Sequence, residues 1–375
     1  MMYPEIFSTL GGEQFLSAYL EKNVTHFEHE SRDRFEDLLS WEMINHLMSL
    51  NLFDDKRIRV VKDSRDVPLS FYRRDSDRRA LDSVKLTALL DQGSSLAINS
   101  VQFLSPGVRR IANQLERWLD QKVNVNAYIS FGTGGAFTSH FDSHDVLVLQ
   151  VYGSKDWTIY QQPEPYPIDG HAVKVRHAAQ GRPILMERTL HSGEILFVPR
   201  GYFHQAAVKN STSVHLTFGI IPAPGVEFID RVRKRCLQVE EFRKDILGVA
   251  GPGALAEQEL RMKTLLHQMI DEYSFETFLE ERRRKRETVD FFRLGPEKEA
   301  QDDPVLVPLV RQRDGFALPT TANPDIARQV LVRLFDNNAM NLSSLCQSLD
   351  GEIEAEDIKT AVDCLVAGRL IEFAD

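Results

Sequence analysis

The sequence predicts an α+β protein with a mainly β core, an antiparallel barrel or jelly roll flanked by helices. Three observations predict this class. Between residues 125 and 222, short β-rich runs alternate with turns that contain glycine and proline. On both sides of that region, apolar residues recur at helical spacing. The 375 residues are 42% hydrophobic and 27% charged, which is enough for a packed core and about two to three domains.

The first region, residues 1–125, is predicted to mix helices with short strands. Its helices show apolar residues three and four positions apart, and the last of them follows a Ser-Pro-Gly breaker. Its strands are short apolar runs between the helices. The predicted helices are 15–19, 41–50 and 108–119, and the predicted strands are 58–61 and 95–98.

The second region contains the predicted β core. One strand is expected to turn at Gly153-Ser154 and to return directly as the next, forming a hairpin. Other turns are predicted at 131–135 and 199–201. The predicted strands are 123–130, 146–151, 157–160, 194–198, 203–208 and 214–221.

The remainder of the chain is predicted to be mostly helical. Apolar residues recur at helical spacing between 226 and 290, and a loop containing Pro296, Pro304 and Pro308 follows. The tail is expected to hold helices at 326–335, 342–349 and 355–367 and a strand at 370–373. The predicted domains are a core domain at 1–225, a helical segment at 226–300 and a C-terminal domain at 301–375.

Charge and composition exclude several classes of protein. The net charge of −10 argues against a general binder of phosphate backbones, and residues 321–375 contain four basic and ten acidic side chains. We therefore expect no DNA binding by the tail. No apolar run is long enough to span a membrane, and the first 20 residues do not resemble a secretory signal. Three widely separated cysteines are typical of a reducing compartment, so we expect a cytoplasmic protein.

Histidine is concentrated in the β-rich region. Seven of the 11 histidines lie between residues 140 and 215, as is typical of a metal or acid–base site. His140 and Asp142 are two residues apart, so on a strand both side chains point to the same face. His204 follows a turn into a new strand and is the best third ligand. Two imidazoles and one carboxylate form the facial triad of non-haem Fe(II) oxygenases.

Two other interpretations of this pattern stay open. A His-x-Asp tripeptide can arise by chance in a chain with this many histidines. His144 continues the same two-residue period, so it could replace one of the three ligands. We prefer His204 because ligands from two separate strands hold an ion better than three ligands from one strand.

A lysine indicates a second feature of the same site. By strand alternation Lys155 shares a face with Trp157 and Ile159, which indicates the inner face. A lysine that faces inward is costly unless an anion meets it, and a dicarboxylate co-substrate would supply that anion. Tyr128 and Asn126 share one face of the preceding strand and could donate hydrogen bonds to the same carboxylate. The alternative is a solvated lysine at a hairpin.

Four segments together resemble the JmjC-type ribosomal oxygenases, which are cupin-like, 2-oxoglutarate-dependent protein hydroxylases. The order, spacing and flanking residues of these segments all match. The likeness is densest over about 95–222. The segments are His140-Phe141-Asp142, then 146–157 (VLVLQVYGSKDW), 192–206 (SGEILFVPRGYFHQA) and 213–217 (SVHLT).

The resemblance implies a double-stranded β-helix of the cupin and JmjC type, a helical dimerisation segment and a winged-helix-like C-terminal module. It implies that His140, Asp142 and His204 bind Fe(II). Lys155 and Tyr128, with Asn126 nearby, would hold the distal carboxylate of 2-oxoglutarate. The substrate would be a histidine or arginine side chain of a ribosomal or other basic protein, and the enzyme would be a homodimer.

Different functions remain as alternatives. The same chemistry could act on a peptide natural product or on a methylated lysine. A non-catalytic cupin scaffold is the alternative from another class, although a scaffold needs no complete metal triad. His144 and Asp145 are expected to shape the substrate pocket. Among the other histidines, His215 is expected in the core, with a position near the metal or in the pocket as the alternative. His191 is expected in a structural role, and His171 and His177 in a loop.

Overall fold

The structure is a computed structural model in which the chain forms two compact units. One unit combines Asn23–Leu104 with Gln121–Val289, and the other combines Met1–Lys22, Ser105–Asp120 and Asp290–Asp375. The residues that the structure describes are 6, 9–50, 56–63, 65–77, 80–134, 138–161, 163–170, 181–284, 305–308, 323–337, 340–349, 353–367 and 371–374.

The first unit is built on one large antiparallel sheet. Over the described residues it has nine strands in the order β1-β8-β6-β9-β5-β4-β2-β3, with β7 paired to β6. This architecture confirms the predicted α+β class with a mainly β core. The strands are β1 (Thr25–Phe27), β2 (Ile58–Lys62), β3 (Arg65–Asp66), β4 (Ser95–Ile98), β5 (Lys122–Gly134), β6 (Asp145–Tyr160), β7 (Ile184–His191), β8 (Ile195–Val198) and β9 (His204–Ile221).

The two longest strands, β6 and β9, lie side by side at the centre of this sheet. The sequence prediction of a hairpin at Gly153-Ser154 is wrong, because β6 continues through these residues with shifts of register. The separate strands predicted at 203–208 and 214–221 are one continuous strand. Glycine and polar residues in mid-strand were therefore misinterpreted as chain reversals.

Gly153 shows why β6 bends without ending. Its φ is +66°, and a Cβ at this position would overlap the backbone carbonyl of Thr212 on β9. Only glycine adopts this conformation without strain at such a close approach. The irregularity therefore lets one strand pair with β8 and β9 before Gly153 and with β7 and β9 after it.

Two α-helices of the first unit lie between its early strands in the chain, and three follow the last strand of the sheet. Ser40 caps the N-terminus of one by accepting a hydrogen bond from the Met43 N–H, and Asp82 caps another in the same way. The three C-terminal helices share a small core of Phe228, Val232, Tyr273 and Phe278. The bounds are α2 (Trp41–Ser49), α3 (Ser83–Asp91), α5 (Gly225–Cys236), α6 (Pro252–Asp271) and α7 (Phe275–Arg284), where α1 and α4 belong to the second unit.

The second unit contains α1 (Glu13–Ala18), α4 (Pro106–Leu119) and a C-terminal module. The ring of Phe15 on α1 lies 5.3 Å from that of Trp118 on α4. In the module, three helices enclose an apolar core with a three-stranded antiparallel sheet. Its elements are β10 (Val305–Pro308), α8 (Pro324–Asn337), β11 (Met340–Asn341), α9 (Leu342–Ser348), α10 (Ala355–Ala367) and β12 (Ile371–Ala374).

Three strands contradict or escape the sequence prediction. The prediction of a loop around Pro304 and Pro308 is wrong for residues 305–308, which form β10, the central strand of its sheet. Proline at a strand end is tolerated, so Pro308, the last residue of β10, does not abolish the strand. The strands β1 and β7 were not predicted, because β1 has only three residues and β7 is charged and mostly exposed. Among the described helices, none combines the length and the apolar character needed to cross a bilayer.

Candidate metal and anion site

Backbone hydrogen bonds bring His140 and His204 together. His140 and His204 exchange N–H···O=C hydrogen bonds of 3.0 and 2.7 Å, which form an isolated antiparallel bridge. The N–H of Gly201 donates to the carbonyl of Asp142 at 3.0 Å. The sequence prediction assumed that His140 and Asp142 share a strand, and this is wrong. They lie in the irregular segment between β5 and β6, which the start of β9 holds in place.

The three predicted ligand side chains converge in space. One ligand atom each from His140, Asp142 and His204 lie within 4.8 Å of one another. The two imidazole centroids are 4.5 Å apart, and Nε2 of His204 lies 3.6 Å from the Asp142 carboxylate. This donor set and spacing fit a divalent transition metal such as iron.

Both imidazoles are oriented by the backbone. Nδ1 of His140 donates to the carbonyl of Thr138 at 2.9 Å, and Nδ1 of His204 donates to the carbonyl of Tyr202 at 3.0 Å. Each ring therefore carries its proton on Nδ1, and Nε2 keeps a lone pair. Hydrogen bonds of this kind fix the tautomer and direction of metal-binding histidines.

The electrostatics favour the forms that bind a metal. Burial lowers the pKa of His204 to about 4, with a further contribution from His140, so its imidazole is neutral at neutral pH. Burial alone would raise the pKa of Asp142, but the neighbouring His204, His140 and His144 hold it below its ordinary value. The site therefore offers a neutral His204 imidazole and an ionised Asp142 carboxylate.

His144 and Asp145 have separate roles. The His144 ring lies over Gly219 on β9, where a Cβ would be only 2.7 Å from two of its ring atoms. Its influence on the pKa of both Asp142 and His204 places it beside the triad. Asp145 is buried and accepts a hydrogen bond of 2.8 Å from the N–H of Arg200, so it anchors the turn before β9.

Lys155 lies inside the β domain. It is only 3% exposed, and its ammonium is 3.4 Å from the hydroxyl of Ser130. Burial lowers the pKa of Lys155 to about 8. Trp157 and Ile159 are buried on the same alternation, which confirms the inward face. The alternative of a solvated hairpin lysine is wrong, and no carboxylate of the described residues forms an ion pair with this ammonium.

Tyr128 and Asn126 form a linked pair on β5. The Asn126 side chain hydrogen-bonds that of Tyr128, and its Oδ1 also accepts from the N–H of Ser100 at 3.1 Å. Burial, followed by the charge of Asp142, raises the pKa of Tyr128 to about 12. The phenol therefore keeps its proton at neutral pH and remains a donor, and Asn126 fixes its position.

Sequence reasoning missed other polar residues around Lys155. Ser130 hydrogen-bonds Ser95 across β5 and β4 at 2.7 Å. Strand alternation from Tyr128 already places Ser130 on the same face, so this signal was available. His215 is buried as expected, and its ring stacks on Tyr128 at 5.1 Å. That contact depends on the register between β5 and β9, which no local pattern specifies.

His191 is the last residue of β7 and does not belong to the metal cluster. The backbone N–H of His191 donates to Glu194 at 3.0 Å, within a buried cluster that joins β1 to β8. This contact agrees with the structural role predicted for His191. The predicted loop positions of His171 and His177 lie outside the described residues.

Comparison with known proteins agrees with this geometry. Residues 98–227 match the family described as the JmjC domain. Two similar curated proteins carry the name bifunctional lysine-specific demethylase and histidyl-hydroxylase NO66. The one from Drosophila willistoni is 27% identical over 214 residues, which are 56% of this chain and 27% of that protein. The one from Aedes aegypti is 25% identical over 217 residues, 56% of this chain and 33% of that protein.

Solved structures are similar over nearly the whole chain. The X-ray structure of Escherichia coli ycfD has a TM-score of 0.55 at 17% identity, covering 98% of this chain and 99% of that one. A structure described as YcfD, a ribosomal oxygenase, in complex with cobalt and 2-oxoglutarate has a TM-score of 0.56 with the same identity and coverage. These findings confirm the resemblance and the JmjC and cupin fold. The chain spans about a third or less of the length of the curated relatives it matches.

Proposed function

We propose that this chain, with its JmjC domain at residues 98–227, is an Fe(II)- and 2-oxoglutarate-dependent oxygenase that hydroxylates a protein side chain. The observation that carries the proposal is the convergence of the His140, Asp142 and His204 ligand atoms within 4.8 Å. Three protein ligands leave coordination positions open on an octahedral metal, as an oxygenase requires.

Each residue has a defined part in this proposal. His140, Asp142 and His204 would hold Fe(II), and Lys155 and Tyr128 would bind the distal carboxylate of 2-oxoglutarate, with Asn126 positioning Tyr128. The bound metal and co-substrate supply the oxidation: one atom of O₂ enters the substrate C–H bond and the other enters succinate, with release of CO₂. The buried ammonium of Lys155 and the protonated phenol of Tyr128 support the choice of an anionic co-substrate.

For the substrate we propose a histidine or arginine side chain of a ribosomal or other basic protein. The net charge of −10 supports a basic partner, because complementary charge speeds and orients association. The names of the relatives, histidyl-hydroxylase and ribosomal oxygenase, support the same class. We place the enzyme in the cytoplasm, where such substrates are made.

We also propose a homodimer that assembles through the helical segment at 226–300. Several large apolar side chains on its helices are exposed, including Ile229, Leu260 and Phe275. Exposed apolar side chains of this density are typical of an interaction surface. The acidic C-terminal domain at 301–375, which we interpret as winged-helix-like, would dock protein and not DNA.

The decisive experiment measures succinate from 2-oxoglutarate by the Fe(II)-loaded protein, with intact-mass analysis of ribosomal proteins as substrates. We expect succinate together with a product heavier by one oxygen atom, and neither with Asp142→Ala. Loss of a methyl group would instead identify a lysine demethylase. Absence of iron binding and of succinate in the wild type would favour a non-catalytic cupin scaffold.

A further inference from the structure

A row of four rings joins the metal cluster to the lysine. The ring of His204 lies 5.9 Å from that of Trp157, which lies 5.9 Å from that of His215. His215 in turn stacks on Tyr128 at 5.1 Å with an angle of 21° between the planes. The rings come from β9, β6 and β5, so the register of the central strands holds the row together.

Two nitrogen atoms in this row are buried without a hydrogen-bond partner among the described residues. They are Nδ1 of His215 and Nε1 of Trp157. A buried polar nitrogen that has lost water and gained no partner destabilises a protein, and native folds rarely retain such groups without a use. Two of them on rings in mutual contact therefore indicate a missing polar partner.

The neighbouring polar side chains do not supply that partner. Ser130 bonds Ser95 at 2.7 Å, and the Gln150 amide donates to the hydroxyl of Ser213 at 2.8 Å. Of the side chains that the structure describes, Lys155 reaches only that of Ser130, at 3.4 Å. The lysine and the two ring nitrogens are thus left with donor capacity that these side chains do not use.

The charge state of His215 indicates which kind of ligand could bind beside it. Burial, followed by the nearby ammonium of Lys155, lowers its pKa well below the ordinary value. The ring is therefore neutral, and the Lys155 ammonium lies near enough to act on it electrostatically. A neutral imidazole beside a buried ammonium cannot neutralise it, but it can share an anion with it.

We propose that His215 binds the distal carboxylate of 2-oxoglutarate together with Lys155, and that Trp157 lines the same pocket. The inference rests on the proposed function, and it gives a ligand-binding role to a residue for which the sequence favoured a place in the core. A carboxylate accepts several hydrogen bonds, so it accommodates an ammonium, a phenol and an imidazole N–H at once.

The test uses full-length protein loaded with Mn(II) and kept free of oxygen, so that binding is measured without turnover. Calorimetry gives the Kd of 2-oxoglutarate and of pyruvate, a 2-oxo acid that lacks the distal carboxylate. In His215→Phe, which keeps the ring stack, we expect 2-oxoglutarate to bind about 10- to 100-fold more weakly. The affinities for pyruvate and for Mn(II) should not change.

A conservative variant separates binding from packing. His215→Asn places an amide N–H near the position of Nδ1 and should recover part of the lost affinity. Thermal unfolding verifies that each variant is folded. If a variant does not fold, the ¹⁵N shift of His215 in the wild-type Zn(II) form replaces it, and we expect that shift to move when 2-oxoglutarate is added.

The outcomes separate this inference from the proposed function. Wild-type protein that binds 2-oxoglutarate while His215→Phe binds it equally well would overturn the role of His215 alone, as would an unmoved ¹⁵N shift. Wild-type protein that binds metal but not 2-oxoglutarate would overturn the proposed function, and the role of His215 with it. Equal loss of pyruvate and 2-oxoglutarate affinity would mean a packing role.

Discussion

The two ends of the site differ in how they are built. At the metal end, His140 and Asp142 lie outside regular strands, and the Asp142 side chain is 29% exposed. At the lysine end, Tyr128, Lys155 and His215 lie within long strands, and Lys155 and His215 are both buried. The metal end obtains its geometry from a local bridge and backbone carbonyls, whereas the lysine end depends on the register of the whole sheet.

The two ends should therefore respond differently to substitution. A partly exposed ligand can be removed without opening a cavity in the core, so function should be lost while the fold persists. A buried lysine without a carboxylate partner opposes folding, so replacing it with an apolar residue should stabilise the ligand-free protein. The same replacement should weaken the binding of the co-substrate, because the positive charge is lost.

The largest effect is expected from Asp142→Ala. Loss of the only carboxylate of the triad should weaken metal binding at least about 100-fold and abolish succinate release. The melting temperature of the metal-free protein should change little. Metal titration and calorimetry of the apo-protein test both parts, with Ser143→Ala as the adjacent control. A variant that unfolds would show that the metal end also supports the core.

Lys155→Met should separate binding from stability. We expect the affinity for 2-oxoglutarate to fall about 100-fold, because a buried charge-assisted contact is lost. The ligand-free protein should become more stable by about 3 kcal/mol at pH 7, since a pKa of about 8 in place of 10.5 corresponds to that penalty. Denaturant unfolding measures it, with the exposed Lys62→Met as control. A less stable variant would contradict the contrast.

The pH dependence of co-substrate binding should report Lys155 directly. With a ligand-free pKa of about 8, the ammonium is present below pH 8 and is lost above it. The affinity for 2-oxoglutarate should therefore be constant below pH 8 and fall by up to about tenfold per pH unit above it, with proton uptake on binding. Lys155→Arg, which stays charged, should remove this dependence if it binds at all. A flat wild-type profile up to pH 9.5 would exclude the lysine.

The same lowered pKa predicts how stability changes with pH. The unfolded chain holds the Lys155 proton up to about pH 10.5, whereas the folded ligand-free protein releases it near 8. The free energy of unfolding should therefore decrease as the pH falls from 10.5 to 8, because the folded protein must then bury a charged lysine. Below pH 8 this destabilising effect of Lys155 stays constant. Comparing wild type with Lys155→Met across this range isolates the lysine from other titrating groups.

The smallest effect is expected at Gly219. A methyl group there would lie 2.7 Å from two atoms of the His144 ring, so Gly219→Ala should destabilise the protein by about 1–3 kcal/mol or displace the ring. Removing the ring should relieve this overlap. The double variant His144→Ala/Gly219→Ala should therefore be more stable than the summed changes in unfolding free energy of the two single variants predict. Unfolding of all four proteins completes the cycle. Strict additivity would place the ring elsewhere in solution.

Local sequence patterns predicted much of the fold. Helices such as 355–367 and strands such as 95–98 have the predicted bounds, because their apolar periodicity is strong and breakers or caps flank them. The errors occur where a local signal has two meanings. Glycine in mid-strand at Gly153 was interpreted as a turn, and the prolines around β10 as a loop.

The candidate site divides in the same way. The spacing of His140 and Asp142, the turn before His204 and the alternation around Lys155 were sufficient to propose a triad and an anion-seeking lysine. The family resemblance then gave those residues their expected roles. Alternation also placed Trp157 on the face of Lys155, but His215 could not be placed there in the same way, since it lies on a different strand.

The sequence by itself therefore determined the class of fold, the residues able to bind metal and the inward direction of Lys155. Periodicity and residue type are local properties, and they act over a few positions along the chain. Only the tertiary structure decided that an isolated bridge joins His140 to His204 and that His144 rests on Gly219. It also decided that His215 stacks between the two ends of the site, because strand register is set by packing across the whole sheet.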